Sequence, residues 1–254
     1  MCPAWMSGVR IISSCMKPWE CPHEIERPVM RQRWERLSYL HWPVEPDVVQ
    51  AMLPSGLEVD THDGVAWVGL VPFQMRSIGP VRGPAVPYFG TFAETNVRTY
   101  VRGRMGPGVW FNSLDIDRAL PVLVAQTLYG LPYQWATMSV REDSDRITYA
   151  ALRRWPHRNR PHGAVTVRVR DPIPNEDLTP LDLFLTARWR LYAQLGSKLV
   201  VAPVAHRPWP LHRADIVALA DGMVAAGGYP QPDGEPHVLY SPGVSVLAGR
   251  PTRA

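Results

Sequence analysis

The chain has 254 residues, 46% hydrophobic and 20% charged, enough apolar material for a sizeable core and too much for a wholly disordered chain. Twenty-seven basic residues against 23 acidic ones give a formal charge of +4, a mild excess that singles out no partner. The 27 prolines exclude coiled coils and favour short elements, and only two of the basic residues, Lys17 and Lys198, are lysines.

Residues 1–29 hold all three cysteines (Cys2, Cys15 and Cys21) and four prolines without periodicity, which predicts a loose N-terminal extension carrying free thiols. Cys15, Cys21 and His23 match no zinc spacing, so no metal is expected. From Met30 onward the pattern predicts one domain, residues 30–254. A short helix is expected over 46–53, with Pro46 in its first turn and Pro54 after its end. Asp63-Gly64 favours a tight hairpin turn between strands 57–60 and 65–71. A Pro/Gly-rich loop follows over 72–90. Strands 91–101 and 109–115 bracket a turn, and a helix is expected over 117–129. Strands follow at 133–140, 146–153 and 164–170. Thr179-Pro180-Leu181-Asp182 has the makings of a helix start, with Thr as cap, Pro first and Asp in the first turn. A last helix is expected over 214–226, then short strands over 238–247. The sum is an α+β fold dominated by antiparallel strands, a curved or closed sheet with a few peripheral helices.

Chemistry concentrates in Phe92-Ala93-Glu94-Thr95-Asn96-Val97-Arg98-Thr99-Tyr100. Strand alternation puts Phe92, Glu94, Asn96, Arg98 and Tyr100 on one face and small or β-branched residues on the other. The polar row meets water, pairs internally or lines a cavity. In a cavity it offers a carboxyl for proton transfer and a guanidinium for an acidic ligand. A solvated strand face or a buried Glu–Arg pair is the plainer alternative, which the flanking aromatics disfavour. Ile147, Tyr149, Ala151 and Arg153 also share a face, which turns Arg153 inward beside the row.

Together with His41-Trp42, Leu53-Pro54-Ser55-Gly56-Leu57, Asp63-Gly64-Val65-Ala66-Trp67, Trp110-Phe111-Asn112-Ser113-Leu114-Asp115, Leu131-Pro132-Tyr133, Arg188-Trp189-Arg190 and His206-Arg207-Pro208-Trp209, this segment resembles the uncharacterised YqjF-like family, which is similar in fold to acetoacetate decarboxylase. The resemblance covers nearly everything after Met30. It implies a cone-shaped, largely antiparallel β-barrel with an interior site. Acetoacetate decarboxylase uses a lysine that condenses with a ketone, in a Gly-aromatic-Pro-Lys-Lys stretch that Gly130-Leu131-Pro132-Tyr133 looks like, so the lysine position falls on Tyr133. The decarboxylase's strand-borne glutamate looks matched by Glu94. The resemblance thus assigns Glu94 and Tyr133 to proton movement and hydrogen bonding and leaves Schiff-base chemistry open only if Lys198 enters the cavity, while strand alternation puts Asn96, Arg98 and Arg153 on the ligand.

Arg153, Arg154, Arg158, Arg160, Arg168 and Arg170 form an acid-free basic window, but strand alternation makes most of it an ordinary solvated face, and no nucleic-acid role is expected. His41, His206 and His212 stand in no dense ligand spacing and read as core or turn residues. No Gly-x-Ser-x-Gly, Walker or dinucleotide motif occurs, and no cofactor is expected. No apolar run suits a membrane span and no signal-peptide layout appears, so the expected compartment is the cytoplasm. The favoured function is binding of a small organic acid or carbonyl compound, with acid/base chemistry at Glu94. A non-catalytic binding or assembly module and a decarboxylase-like lyase are the alternatives; homo-oligomers are permitted.

Overall fold

The computed structural model describes residues 9–11, 16–84, 90–118, 131–155 and 159–254. Its strands are β1 (Val9–Ile11), β2 (His23–Ile25), β3 (Met30–Val44), β4 (Leu57–Val59), β5 (Ala66–Pro80), β6 (Phe92–Gly103), β7 (Gly106–Ile116), β8 (Tyr133–Asp143), β9 (Arg146–Trp155), β10 (His162–Pro172), β11 (Arg190–Leu195), β12 (Lys198–His206), β13 (His212–Asp221), β14 (His237–Ala248) and β15 (Thr252–Arg253). Among the described residues, three short α-helices interrupt them: α1 (Pro46–Gln50), α2 (Pro180–Thr186) and α3 (Met223–Ala226). Among the described residues, no helix is long and apolar enough to cross a membrane.

Thirteen strands form one sheet whose pairings close twice. One circuit runs β7-β8-β9-β10-β13-β14-β3-β5-β6 and returns to β7; the other leaves β14 through β12 and β11 and returns to β7. The strands β14, β3, β5, β6 and β7 belong to both, so they form a wall with an enclosed space on each side. Pairing is antiparallel except for β7–β8 and β7–β11. One face of the wall packs a core around Leu40, Trp42, Leu70, Val97, Ile147 and Val167. The other face carries Tyr39, Phe73, Phe92, Ile116, Val204 and Trp209.

The long wall strands keep the same face toward each enclosure by slipping a residue. In β3 the inward positions change from Met30, Gln32 and Trp34 to Leu37 and Tyr39, and a register shift in the β3–β5 ladder falls at Arg36, whose φ is 51°. In β5 they change from Val71, Phe73 and Met75 to Ile78, across Ser77 with φ 54°. In β7 they change from Val109 and Phe111 to Leu114 and Ile116, across a register shift against β6. Each slip is a β-bulge that adds curvature and resets which residue parity faces inward.

The same bulges explain why β5 runs through Pro72 where a loop was expected. Val71, Pro72 and Phe73 have no registered partner on β3, because its bulge lies opposite, so that ladder requires no N–H from Pro72. Of the expected loop, residues 81–84 lie outside the strand. Asp63 and Gly64 have φ of 52° and 79° and form the expected tight turn. The strands beside it are not a hairpin: β4 pairs with β6, and only a single bridge, His62 to Val65, crosses the turn.

Other expectations also change. The helix expected over 214–226 is β13 followed by the four-residue α3, because β10 supplies ladder partners from Ala214 to Asp221, while β14 pairs only with His212 and Arg213 at the start of β13. Residues 238–247 belong to one continuous strand, β14. Most of the helix expected over 117–129 lies outside the described residues. At α2 the Thr179 hydroxyl accepts from the Asp182 N–H while the Asp182 carboxylate accepts from the Thr179 N–H, a reciprocal cap. Part of the N-terminal stretch contacts the domain. His23 and Ile25 are buried, the Cys21 thiol donates to the His23 carbonyl at 3.1 Å, and Val29 N–H bonds Ala248. Cys2 and Cys15 lie outside the described residues.

Candidate functional site

On one side of the wall lies a cavity of about 560 Å³, within the size range of small-molecule sites. Its wall is mainly aliphatic and aromatic. Polar groups enter from β6, which has no bulge of its own, so its alternation is preserved: Phe92, Glu94, Asn96 and Arg98 line the cavity, while Val97 packs into the core behind. Tyr133 lines it too. Asn96 pairs with Leu114, and Leu114 with Tyr133, which sets the three in a row across β6, β7 and β8.

Glu94 is 4% exposed, and its Oε2 has no hydrogen-bond partner. Burial, reinforced by the negative charge of Asp115, pushes its pKa up to about 8. At neutral pH Glu94 is therefore a neutral acid able to donate a proton. Asn96 Oδ1 is likewise buried without a partner.

The Arg98 guanidinium donates to the Leu185 carbonyl at 3.1 Å and to the Tyr100 hydroxyl at 3.2 Å, and lies 5.4 Å from the centre of the Tyr39 ring. Its Nε has no partner. Among the described residues no carboxylate forms an ion pair with it. Arg188, the other arginine lining the cavity, differs: it is bound to Asp60 at 2.6 Å. Among the described residues, Arg98 is therefore the cavity cation without a carboxylate partner. Behind it, the Tyr100 hydroxyl donates to Leu185 at 2.8 Å and sits 2.6 Å from His41 Nε2. Burial first, then the Arg98 charge, holds the His41 pKa well below its ordinary value. His41 is thus neutral and supports Tyr100 from behind.

Arg153 turns inward, but on the other side of the wall. It is bound to Asp115 and to Ser113 and does not line the cavity, so the structure separates it from Glu94, Asn96, Arg98 and Tyr133. Lys17 and Lys198 are both exposed, and neither lines the cavity. His206, which reads in the sequence as a core or turn residue, does line it. Its Nδ1 donates to the Arg207 carbonyl at 2.6 Å, and burial lowers its pKa to about 4. It packs 4.6 Å from the Trp209 ring and 4.4 Å from the Trp189 ring. The signal for it was the aromatic-rich His-Arg-Pro-Trp segment, which local spacing alone could not connect to β6. Among the described residues no cluster of three or more His, Cys, Asp or Glu is arranged to hold a metal ion.

The model of DUF2071, described as an uncharacterized conserved protein, matches residues 31–245. The chain belongs to this family. It is 35% identical over 219 residues to the uncharacterized protein YqjF of Bacillus subtilis, covering 86% of this chain and 90% of that one. Solved structures share the fold at low identity. The enduracididine biosynthesis enzyme MppR with HEPES bound has a TM-score of 0.64 at 17% identity, covering 89% of this chain and 88% of that chain. An acetoacetate decarboxylase-like enzyme from Sphingomonas wittichii RW1 has a TM-score of 0.62 at 15% identity, covering 90% and 93%. The acetoacetate decarboxylase of Legionella pneumophila has a TM-score of 0.58 at 13% identity, covering 97% and 88%. This DUF2071 chain therefore has the acetoacetate decarboxylase-like fold.

Proposed function

We propose that the cavity binds a small organic acid or carbonyl compound, with Arg98 taking the negative end, Asn96 and Tyr133 orienting it, and Glu94 supplying or removing a proton without a covalent lysine adduct. The observation that carries this reading is the uncompensated Arg98 guanidinium on the same strand face as a protonated Glu94. A part-buried cation without a counter-ion keeps some desolvation cost, and an anionic ligand offsets it. A neutral Glu94 donates to the ligand's oxygen instead of repelling it. The fold neighbour MppR has been solved with pyruvate, an acid of the same chemical class. The two exposed lysines leave imine formation without a nucleophile in the cavity.

Calorimetric titration with acetoacetate, pyruvate and butanoate tests the reading. Saturable binding by at least one acid is expected, weakened about tenfold or more by Arg98→Met. Absence of binding by all of them, or an Arg98→Met protein that binds as well as the parent, overturns it.

A further inference from the structure

We propose that the Trp34–His206–Trp209 end of the cavity is a second subsite, which takes an aromatic ring carrying a hydrogen-bond donor, so that the ligand is an aryl-substituted acid larger than a four-carbon keto acid. This rests on the acid-binding reading of the Arg98 end.

The two ends face each other across one side chain. Tyr39 lies under the Arg98 guanidinium at 5.4 Å and meets the Trp209 ring edge-on at 5.6 Å, with an interplanar angle of 81°. A molecule anchored at Arg98 and extending one ring's width past Tyr39 reaches the tryptophans. There Trp34 and Trp209 stack nearly parallel, 17° apart with ring centroids 6.0 Å apart, and supply an aromatic surface. Phe73, which pairs with Glu94 in the β5–β6 ladder, lies 6.1 Å from Trp34 and continues that surface back toward the carboxyl. Flat rings stack on or edge against such surfaces.

Hydrogen bonding gives this end its selectivity. Trp209 uses its indole N–H on the Thr186 carbonyl at 3.1 Å. The Trp34 indole N–H is buried without a partner. His206 is neutral and commits its Nδ1–H to the Arg207 carbonyl, so its Nε2 is a lone-pair acceptor. The open His206 acceptor beside these aromatic rings suits a ring hydroxyl, which donates to its Nε2. A cavity of about 560 Å³ has far more room than a four-carbon acid fills; volumes of roughly 300–1,000 Å³ match drug-sized ligands.

The test titrates the full chain with butanoate, 3-phenylpropanoate and 3-(4-hydroxyphenyl)propanoate, by calorimetry and by tryptophan fluorescence. Phenylpropanoate is expected to bind about tenfold or more tighter than butanoate, with the hydroxyl adding a further several-fold. His206→Phe should keep the ring's advantage and remove the hydroxyl's. If butanoate binds and the aryl acids bind no tighter, the second subsite is overturned while acid binding stands. If none of the three binds, the acid-binding reading falls and the subsite with it. The comparison of ligands on the parent protein decides the matter even if His206→Phe does not fold.

Discussion

Arg153 grips Asp115 through two hydrogen bonds of 2.7 Å, Nε to Oδ1 and a terminal nitrogen to Oδ2, and both side chains are almost wholly shut from solvent. The pair sits on the far side of the wall from Glu94, one residue along β7 from Ile116, the ladder partner of Glu94. Removing one member strands the other charge in the interior. Arg153→Leu should cost about 3–5 kcal/mol in urea denaturation, and the double change with Asp115→Leu should recover much of that loss. Asp115→Asn removes a negative neighbour of Glu94, so the Glu94 pKa should fall from about 8, as read by carboxyl NMR.

Glu94 itself makes stability depend on pH. Its native pKa of about 8 lies above the ordinary 4.5. Between those values the unfolded chain releases a proton that the folded one retains, so this contribution is full below about pH 4.5 and is lost as pH rises toward 8. Glu94→Gln cannot ionise. Relative to the parent it should gain stability across this window, by up to about 4 kcal/mol, when denaturation is compared at acidic and mildly alkaline pH. A constant difference would show that Glu94 ionises normally.

Borohydride treatment in the presence of acetoacetate should leave no adduct detectable by intact-mass measurement, since Lys17 and Lys198 stand outside the cavity. Replacing both by arginine should leave acid binding unchanged. A trapped adduct on Lys198 would place imine chemistry back in this fold.

Gly243 has φ of 130°, and a Cβ there would stand 2.1 Å from the Trp34 carbonyl oxygen. Gly243→Ala must therefore push β14 and β3 apart where Trp34 enters the cavity wall. A loss on the order of 3 kcal/mol or more is expected in denaturation, accompanied by altered tryptophan fluorescence.

Glu94, Asn96 and Arg98 were legible in the sequence because β6 carries no bulge, so simple alternation held from Phe92 to Arg98. The same rule fails along β3, β5 and β7, where Arg36, Ser77 and the stretch between Phe111 and Leu114 shift the parity. Pro72 hid half of β5 for the related reason that its missing donor falls opposite a bulge. Arg153 has the right direction but the wrong enclosure, since periodicity says inward without saying which side of a two-sided wall. The segment 214–220 is rich in Ala and Leu, good helix formers, and only its ladder with β10 makes it β13. His206 is brought to the cavity by β12, more than a hundred residues after β6, a relationship that no local pattern expresses.

The double closure gives neighbouring positions of β6 different histories to expect. Even-numbered residues from Phe92 to Arg98 face the cavity, and a change there alters what is held; Val97 faces the other core, where a change alters whether the chain folds. One strand thus divides two selective pressures residue by residue. Relatives can drift toward new ligands on one side of the wall while the packing on the other keeps the molecule intact.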